Sequence, residues 1–148
     1  MLFRSEDSCQ MIVQGQTTSF KQELYEGVHN FTTDTFKIAL YTAYATLNQD
    51  TLVYTSEGEI TGTGYTATGQ TLLNPTVNSA SGVAYISFDN PSWTSAHFTA
   101  RGALIYNSSK ANKSVAVLDF GSDKTTTSTF TITFPANTAT TAIIRSSN

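Results

Sequence analysis

The stretch FTARGALIYNSSKANKSVAVLDFG, residues 98–121, decides the fold of this chain. It contains two apolar runs, residues 103–106 and 115–120, on either side of the polar segment 107–114. Apolar runs that are rich in branched and aromatic residues and separated by turn-forming residues are typical of a β-hairpin. Because both arms carry apolar residues at successive positions, we expect this hairpin to be covered on both faces and to lie at the centre of a β-domain.

The composition favours a β-protein with a surface rich in hydroxyl groups. Charged residues make up only 13% of the 148 residues, whereas Thr and Ser number 26 and 16. Threonine is branched at Cβ and therefore suits a pleated sheet. This length predicts one domain with a substantial core.

Charge, cysteine content and hydropathy exclude several classes of protein. The net charge is −3, and the eight Lys and Arg residues are scattered, so we expect no direct binding of nucleic acid. The single cysteine, Cys9, excludes an intrachain disulfide. Acidic Glu6 and Asp7 interrupt the segment where a secretory leader would be apolar, and no apolar run is long enough to span a membrane.

The N-terminal region divides into an arm and a short helix. Residues 1–16 show no periodicity and are interpreted as a flexible arm, which leaves residues 17–148 as a single β-sandwich domain. The spacing of Ser19 and Gln22 predicts a capping box, and Gly27 is suited to end the helix. The apolar stripe of this helix, which we expect to dock on the sheet or on another subunit, consists of Phe20, Leu24 and Val28.

Downstream of the helix, the apolar period changes to two, which predicts strands. The clearest alternation is in residues 35–41, 83–88 and 129–134, and weaker strands are predicted at 54–59, 70–77 and 142–145. The glycine-rich segment 62–69 lacks the lysine of a phosphate-binding loop and is interpreted as a bulged turn. We therefore expect a mainly β fold, an antiparallel β-sandwich with one short N-terminal helix. Periodicity leaves two kinds of connection open, jelly-roll-like and immunoglobulin-like.

Few side chains have the spacing of a reactive site. His29 and His97 show no ligand spacing with carboxylates such as Asp34 or Asp89, and no nucleophile elbow is present. We therefore expect that the protein has no catalytic residues, binds no cofactor or metal, and is not an enzyme. Trp93 is expected to cap the core, and His97 to lie at a surface or interface. The residues predicted as a possible interface are Phe20, Leu24, Val28, Trp93 and His97.

Two charged residues interrupt the apolar central hairpin. In a hairpin that folds near residue 110, Arg101 and Asp119 fall almost opposite each other. We therefore predict that they form an ion pair across the hairpin or across a subunit contact, with a structural role.

The tyrosines allow two interpretations. Tyr41, Tyr44, Tyr54, Tyr65 and Tyr106 could form a surface on which sugar rings stack. The favoured alternative is that they pack at strand ends and subunit contacts, because a phenol is apolar over most of its surface.

Several segments resemble a group of small structural proteins from tailed bacteriophages. They are SFKQELYEGVHNFTTDTFKIALYTAYATLN, GTGYTATGQTL, FTARGALIYNSSKANKSVAVLDFGSDK and TFTITFPA, and the resemblance extends from residue 19 to residue 145. It implies a virion component that is made in the host bacterial cytoplasm without secretion and assembled in many copies. These segments carry no catalytic motif.

The resemblance implies a first choice of role and an alternative. The first choice is a capsid decoration or cement protein that binds between capsomers and stabilises the head. Its partners would be the major capsid protein or other virion proteins, with homo-oligomers expected, a trimer favoured, and no contact with nucleic acid or membrane. The alternative is a tail- or fibre-associated module whose tyrosines and Trp93 contact host-surface glycan.

Overall fold

The computed structural model describes residues 11–146, and in this range the chain is mainly β. The predicted fold class, antiparallel and sandwich-like with one short helix, is confirmed. In chain order the elements are β1 (Gly15–Gln16), α1 (Thr18–Tyr25), β2 (Phe36–Tyr41), β3 (Gln70–Thr71), β4 (Thr76–Ala80), β5 (Val83–Ser87), β6 (Ser92–Trp93), β7 (Phe98–Asn107), β8 (Lys113–Thr126), β9 (Phe130–Thr131) and β10 (Ile144–Ser146).

The predicted hairpin, β7–β8, forms the middle of the largest sheet. This five-stranded antiparallel sheet has the order β1-β8-β7-β2-β3. Strand β2 pairs with β7 over its full length, from Phe36 opposite Asn107 to Tyr41 opposite Gly102. Two shifts in register along β7 and β8 mark bulges, which increase the local twist of the hairpin.

Both faces of this sheet are covered, as the apolar runs predicted. Along β2, Ile38 and Leu40 pack into a large core on one face, and Ala39 and Tyr41 pack into a smaller core on the other. Strand β7 divides in the same way, since Ile105 lies in the large core and Leu104 in the smaller one. The alternation follows from the two-residue period of a strand.

The large core is closed by the helix and by two smaller sheets. These sheets have the strand orders β10-β5-β4 and β6-β9. Aromatic rings fill much of the space between the layers: Phe31 stacks on Phe36 at 4.2 Å between ring centroids, and Trp93 packs against Phe130 at 5.9 Å. Trp93 therefore closes the core, as predicted.

The smaller core is closed by the long connection between β2 and β3. Ala45, Leu47 and Tyr54 of this connection pack over the second face, together with Ile12 from the N-terminal region. The connection has no strand of its own at 54–59, where one was predicted, and only isolated bridges occur at Val53 and Glu59. Tyr54 is held instead by its hydroxyl, which donates to Oε1 of Glu59, and by its backbone N–H, which donates to the carbonyl of Asn112.

The folded domain extends into the segment 1–16 that was interpreted as a flexible arm. Residues 1–10 lie outside the described part of the chain, but Ile12 is buried and Gly15 pairs with Val117 as part of β1. The domain therefore starts before residue 17. Sequence periodicity could not show this, because Gln14 and Gln16 flank a glycine and the pairing of β1 uses the main chain alone.

The helix begins two residues before the position that the predicted capping box gave. Its N-cap is Thr17, whose side-chain oxygen accepts a hydrogen bond from the backbone N–H of Phe20, so the assignment of Ser19 as the cap was wrong. The hydroxyl of Ser19 lies near that of Ser114 on β8. Gly27, with φ of 74°, follows the last turn as predicted.

Several predicted strands are shorter in the structure. Pro75 divides the predicted strand 70–77 into the end of β3 and the start of β4, because proline cannot donate to a ladder. The alternation of Phe130, Ile132 and Phe134 is confirmed as a buried face, although only Phe130–Thr131 forms a ladder. The closing strand lies at Ile144–Ser146, slightly later than predicted.

Candidate functional site

The predicted pair of charges in the central hairpin is present. The Nε atom of Arg101 lies 3.3 Å from Oδ1 of Asp119, and the two side chains are 25% and 29% exposed. The bulge between Ala100 and Gly102 places Gly102 directly opposite Asp119, so Arg101 reaches its partner diagonally. Asp119 also accepts a hydrogen bond from the backbone N–H of Gly121. The pair therefore bonds within one chain.

A groove of about 400 Å³ opens beside Arg101. Its walls include Met11, Thr42, Tyr44, Thr99 and Asp123. The ring of Tyr44 is 85% exposed at this groove. The groove thus combines an aromatic face with one guanidinium, although that guanidinium already has a carboxylate partner.

His29 lies in a buried polar network between the helix and the central hairpin. Its Nε2 is 2.8 Å from Oε1 of Glu23 on α1. Its Nδ1 is 3.0 Å from the side-chain nitrogen of Asn107, which also donates to Oδ2 of Asp34 at 2.9 Å. Because the amide of Asn107 can only donate to Nδ1, the proton of a neutral His29 lies on Nε2 and is directed at Glu23.

Asp34 ends this network at the loop of the central hairpin. The ammonium of Lys110 donates to both carboxylate oxygens at 3.0 and 2.9 Å, and the backbone N–H of Asn30 donates to Oδ2. Burial alone would raise the pKa of Asp34, but the hydrogen bonds from Asn107 and Asn30 and the charge of Lys110 together lower that pKa to about 2. The network therefore holds a charged carboxylate between helix and hairpin.

The geometry of the His29 network indicates that it stabilises the fold. The imidazole of His29 has no exposed surface and touches the rings of Phe20 and Phe36, so no ligand reaches it. Between residues 11 and 146, no group of three or more His, Cys, Asp or Glu side chains is arranged to hold a metal ion.

A second network is centred on the carboxylate of Glu59. The hydroxyls of Tyr54 and Tyr65 each donate to one of its oxygens, and the backbone N–H of Thr68 donates at 2.7 Å. Burial, together with these bonds to a carboxylate, raises the pKa of both phenols. Glu59 therefore ties the connection that closes the smaller core to the glycine-rich turn.

The tyrosines consequently do not form a stacking surface. Tyr41 and Tyr106 are buried, and their hydroxyls donate to the carbonyls of Thr55 and Thr68, both at 2.6 Å. Burial raises the pKa of Tyr106 to about 12. Of the five tyrosines considered for sugar binding, Tyr44 alone is largely exposed. The favoured interpretation, packing, describes the others.

Two of the five residues predicted as a possible interface are core residues. Phe20 is fully buried against Phe31 and His29, and Trp93 is buried against Phe130, so neither can contact another chain in this fold. Leu24 and Val28 are half-buried, with Leu24 packed against the large core, and His97 is exposed. The helix docks on its own sheet, which was one of the two predicted outcomes.

A further surface was missed by the sequence interpretation. The hairpin β4–β5 projects from the body, and every residue of β4 is exposed, including Val77 at 50%. Leu73, which precedes the strand, is 60% exposed. The signal that could have indicated it is the absence of any charged residue from 60 to 88. A strand of this kind, exposed on both faces, offers main-chain groups for pairing.

The described residues contain no helix that is long and apolar enough to cross a membrane. Comparison with known protein families, with curated proteins and with solved structures finds no match for the chain.

Proposed function

We propose that this chain is a structural component of a tailed-bacteriophage virion, and specifically a capsid decoration protein that binds between capsomers. The resemblance of four long segments to small phage structural proteins supports this proposal. So does the structure: the ionic and phenolic groups of the two networks bond to each other and tie helix and loops to the central sheet. These contacts hold the helix and the loops on the sheet of a chain that is rich in hydroxyl side chains, with 26 Thr and 16 Ser.

The observation that carries the proposal is that the imidazole and carboxylate groups of the two networks are bonded to other groups of the same fold. His29 has no exposed side-chain surface, and Glu59 is occupied by two phenols and a backbone N–H. Groups arranged in this way stabilise a fold but do not meet a substrate. We therefore propose a non-catalytic role.

A decoration protein acts by mass action. A protein that binds only the assembled shell stabilises it by RT ln(1 + [L]/Kd), about 2.7 kcal/mol per site when its free concentration is one hundred times Kd. Binding between capsomers also links neighbours that would otherwise separate under internal pressure. The low charge of the chain suits this role, because many copies then lie close together with little mutual repulsion.

The test is binding to heads that lack tails. Purified chain is added to tailless heads that have been stripped of it, and bound chain is measured by gel densitometry against the major capsid protein. Saturation at a fixed ratio to capsomers, with greater resistance of the heads to heat, is the expected result. Absence of the chain from tailless heads, with a few copies on complete particles, would overturn the decoration role.

The alternative proposal is a tail- or fibre-associated module that contacts host-surface glycan. The groove beside Arg101 supports it, because the exposed ring of Tyr44 could stack on a sugar. Trp93, which was expected to take part, is buried and is removed from this proposal. Loss of binding to host cells after Tyr44→Ala, with binding to heads unchanged in the same variant, would favour this alternative.

A further inference from the structure

The hairpin β4–β5 has a tight two-residue turn. Ala80 pairs with Val83, and the turn residues Ser81 and Gly82 both have positive φ, 52° and 79°. This is the geometry of a type I′ turn, whose twist matches that of the flanking strands. The hairpin is therefore well formed, although its first strand is exposed on both faces.

The two edges of the small sheet differ. The strand order of this sheet is β10-β5-β4, so β10 and β4 are its edges. The edge at β10 is covered: Ile144 is buried, and the side-chain amide of Gln16 donates to the carbonyl of Arg145 at 2.7 Å. The edge at β4 has no such cover. Apart from β5, no residue in the described range hydrogen-bonds to the main chain of Thr76–Ala80.

The turn determines which main-chain groups of β4 point outward. In a two-residue hairpin the residues that flank the turn exchange hydrogen bonds, so Ala80 is directed at β5, and the alternation makes Asn78 and Thr76 do the same. The N–H and C=O groups of Val77 and Ser79 therefore face away from the sheet. They are ready to pair with another strand.

Strand β4 lacks the features that normally protect an edge. Natural edge strands carry charges, internal prolines or bulges that prevent pairing with other chains. Thr76–Ala80 contains none of these: its register with β5 is regular, and Pro75 stands before the strand. The nearest charged residues along the chain are Glu59 and Asp89.

The absence of charge indicates which partner this edge fits. When a strand pairs antiparallel with its own copy, residues near the axis face the same residues of the partner, so any charge would meet its like. A charge-free strand avoids this repulsion, whereas a partner of opposite charge would find nothing to bind. The edge thus fits a second copy of the same strand.

We propose that β4 pairs antiparallel with β4 of a second copy about a two-fold axis at Asn78. In this register, Val77 lies opposite Ser79 of the partner subunit, and the two Asn78 side chains meet on the axis. The outward groups of Val77 and Ser79 then form four interchain hydrogen bonds. The two three-stranded sheets become one sheet of six strands.

This contact is weak when it stands alone. Two five-residue strands bury much less than the roughly 1,200 Å² of a stable interface, so the dimer dissociates readily on dilution. Where many copies are held on one surface, the local concentration is high and the same contact becomes effective. The inference does not rest on the proposed function, because it concerns the isolated protein.

The first test is cross-linking at the predicted axis. In a Cys9→Ser background, Asn78→Cys is oxidised with oxidised glutathione, and we expect a disulfide-linked dimer, because a non-hydrogen-bonded pair brings its Cβ atoms close. Ser81→Cys is the matched control on the same hairpin. Its two copies would lie about 20 Å apart, three residues from the axis on each side at about 3.3 Å per residue. Equal cross-linking of the two variants would overturn the proposal.

The second test removes one outward N–H. Val77→Pro deletes a donor that β5 does not use, whereas Val77→Ala keeps it. In sedimentation velocity over rising concentration, wild type and Val77→Ala should shift from monomer to dimer, and Val77→Pro should stay monomeric. The proposal would be overturned if Val77→Pro dimerised as the wild type does. It would also be overturned if the wild type stayed monomeric at millimolar concentration.

A third variant covers the case in which Val77→Pro fails to fold. Asn78→Lys leaves the ladder to β5 intact but places two ammonium groups on the axis. We expect its dimerisation to be lost at low salt and partly restored at high salt, because screening weakens the repulsion. Dimerisation that is unchanged at low salt would contradict the proposed register.

Discussion

The central hairpin β7–β8 and the projecting hairpin β4–β5 are both antiparallel, but they differ in strand length and in burial. The central hairpin has arms of 10 and 14 residues, and its apolar residues are buried on both faces. The projecting hairpin β4–β5 has arms of five residues, and its outer strand is exposed throughout. Since main-chain hydrogen bonds contribute little net free energy in water, burial is what makes the first hairpin a core and leaves the second available to a partner.

The largest expected difference between the hairpins concerns their side chains. Ile105→Ala removes a fully buried side chain from the large core and should lower the free energy of unfolding by about 2–5 kcal/mol. Val77→Ala removes a half-exposed side chain from the projecting hairpin and should change it by less than about 1 kcal/mol. Urea unfolding measures both. Equal effects would mean that the projecting hairpin is also part of the core.

Each hairpin contains an asparagine, and replacing the two should change the free energy of unfolding by different amounts. Asn107→Ala removes the amide that bonds His29 and Asp34, and it leaves buried polar groups unpaired at a cost of about 1–3 kcal/mol. Asn78→Ala acts on an exposed residue and should cost less than about 0.5 kcal/mol. Thermal and urea unfolding of the two variants check this. A stable Asn107→Ala protein would show that the buried network is dispensable.

Low pH should weaken the contacts that hold the central hairpin, whereas the projecting hairpin has no charged group to titrate. The pKa of Asp34 falls from 3.8 to about 2 on folding, so its carboxylate stabilises the fold above about pH 4, and this contribution is lost as the pH falls towards 2. Asp34→Asn should therefore be less stable than wild type at pH 5, and the difference should narrow by pH 2. Urea unfolding across this range measures the difference. A gap that stays constant with pH would contradict the lowered pKa.

The Arg101–Asp119 pair of the central hairpin should have only a small effect. Both side chains are partly exposed, and such pairs contribute about 0–1 kcal/mol, so Arg101→Ala should lower the free energy of unfolding by no more than that. A double-mutant cycle with Asp119→Ala isolates the interaction, and high salt should reduce it. A coupling well above 1 kcal/mol would indicate that the pair lies in a drier environment than its exposure suggests.

The sequence predicted those features that are determined by the local pattern of apolar and charged side chains. Continuous apolar runs indicated the doubly covered hairpin, and counting from its turn brought Arg101 close enough to Asp119 to pair with it. Strand β1 was missed because its two residues, Gly15 and Gln16, carry no apolar side chain and so show no alternation. The cap was assigned to the wrong residue because Thr17, Thr18 and Ser19 all offer a hydroxyl, and only the position of the first turn selects among them.

The parts that could not be predicted depend on distant contacts. Nothing local shows that Glu59 will meet two phenols, or that Asn107 will join His29 to Asp34 across the fold. Trp93 was expected both to cap the core and to lie at an interface, and only packing decides between these outcomes. The exposure of β4 was likewise hidden, because the sequence of a projecting strand with polar residues resembles that of a loop.

The pairing of β1 with β8 has a consequence for biosynthesis. Gly15 leaves the ribosome early, but its partner Val117 is synthesised about one hundred residues later, so the central sheet cannot be completed until β8 has been made. Folding must wait until the central hairpin has emerged, and the uncharged segment 60–88 stays unprotected during that time. The yield of soluble protein should therefore respond to the rate of translation and to chaperones more than the stability of the finished fold would suggest.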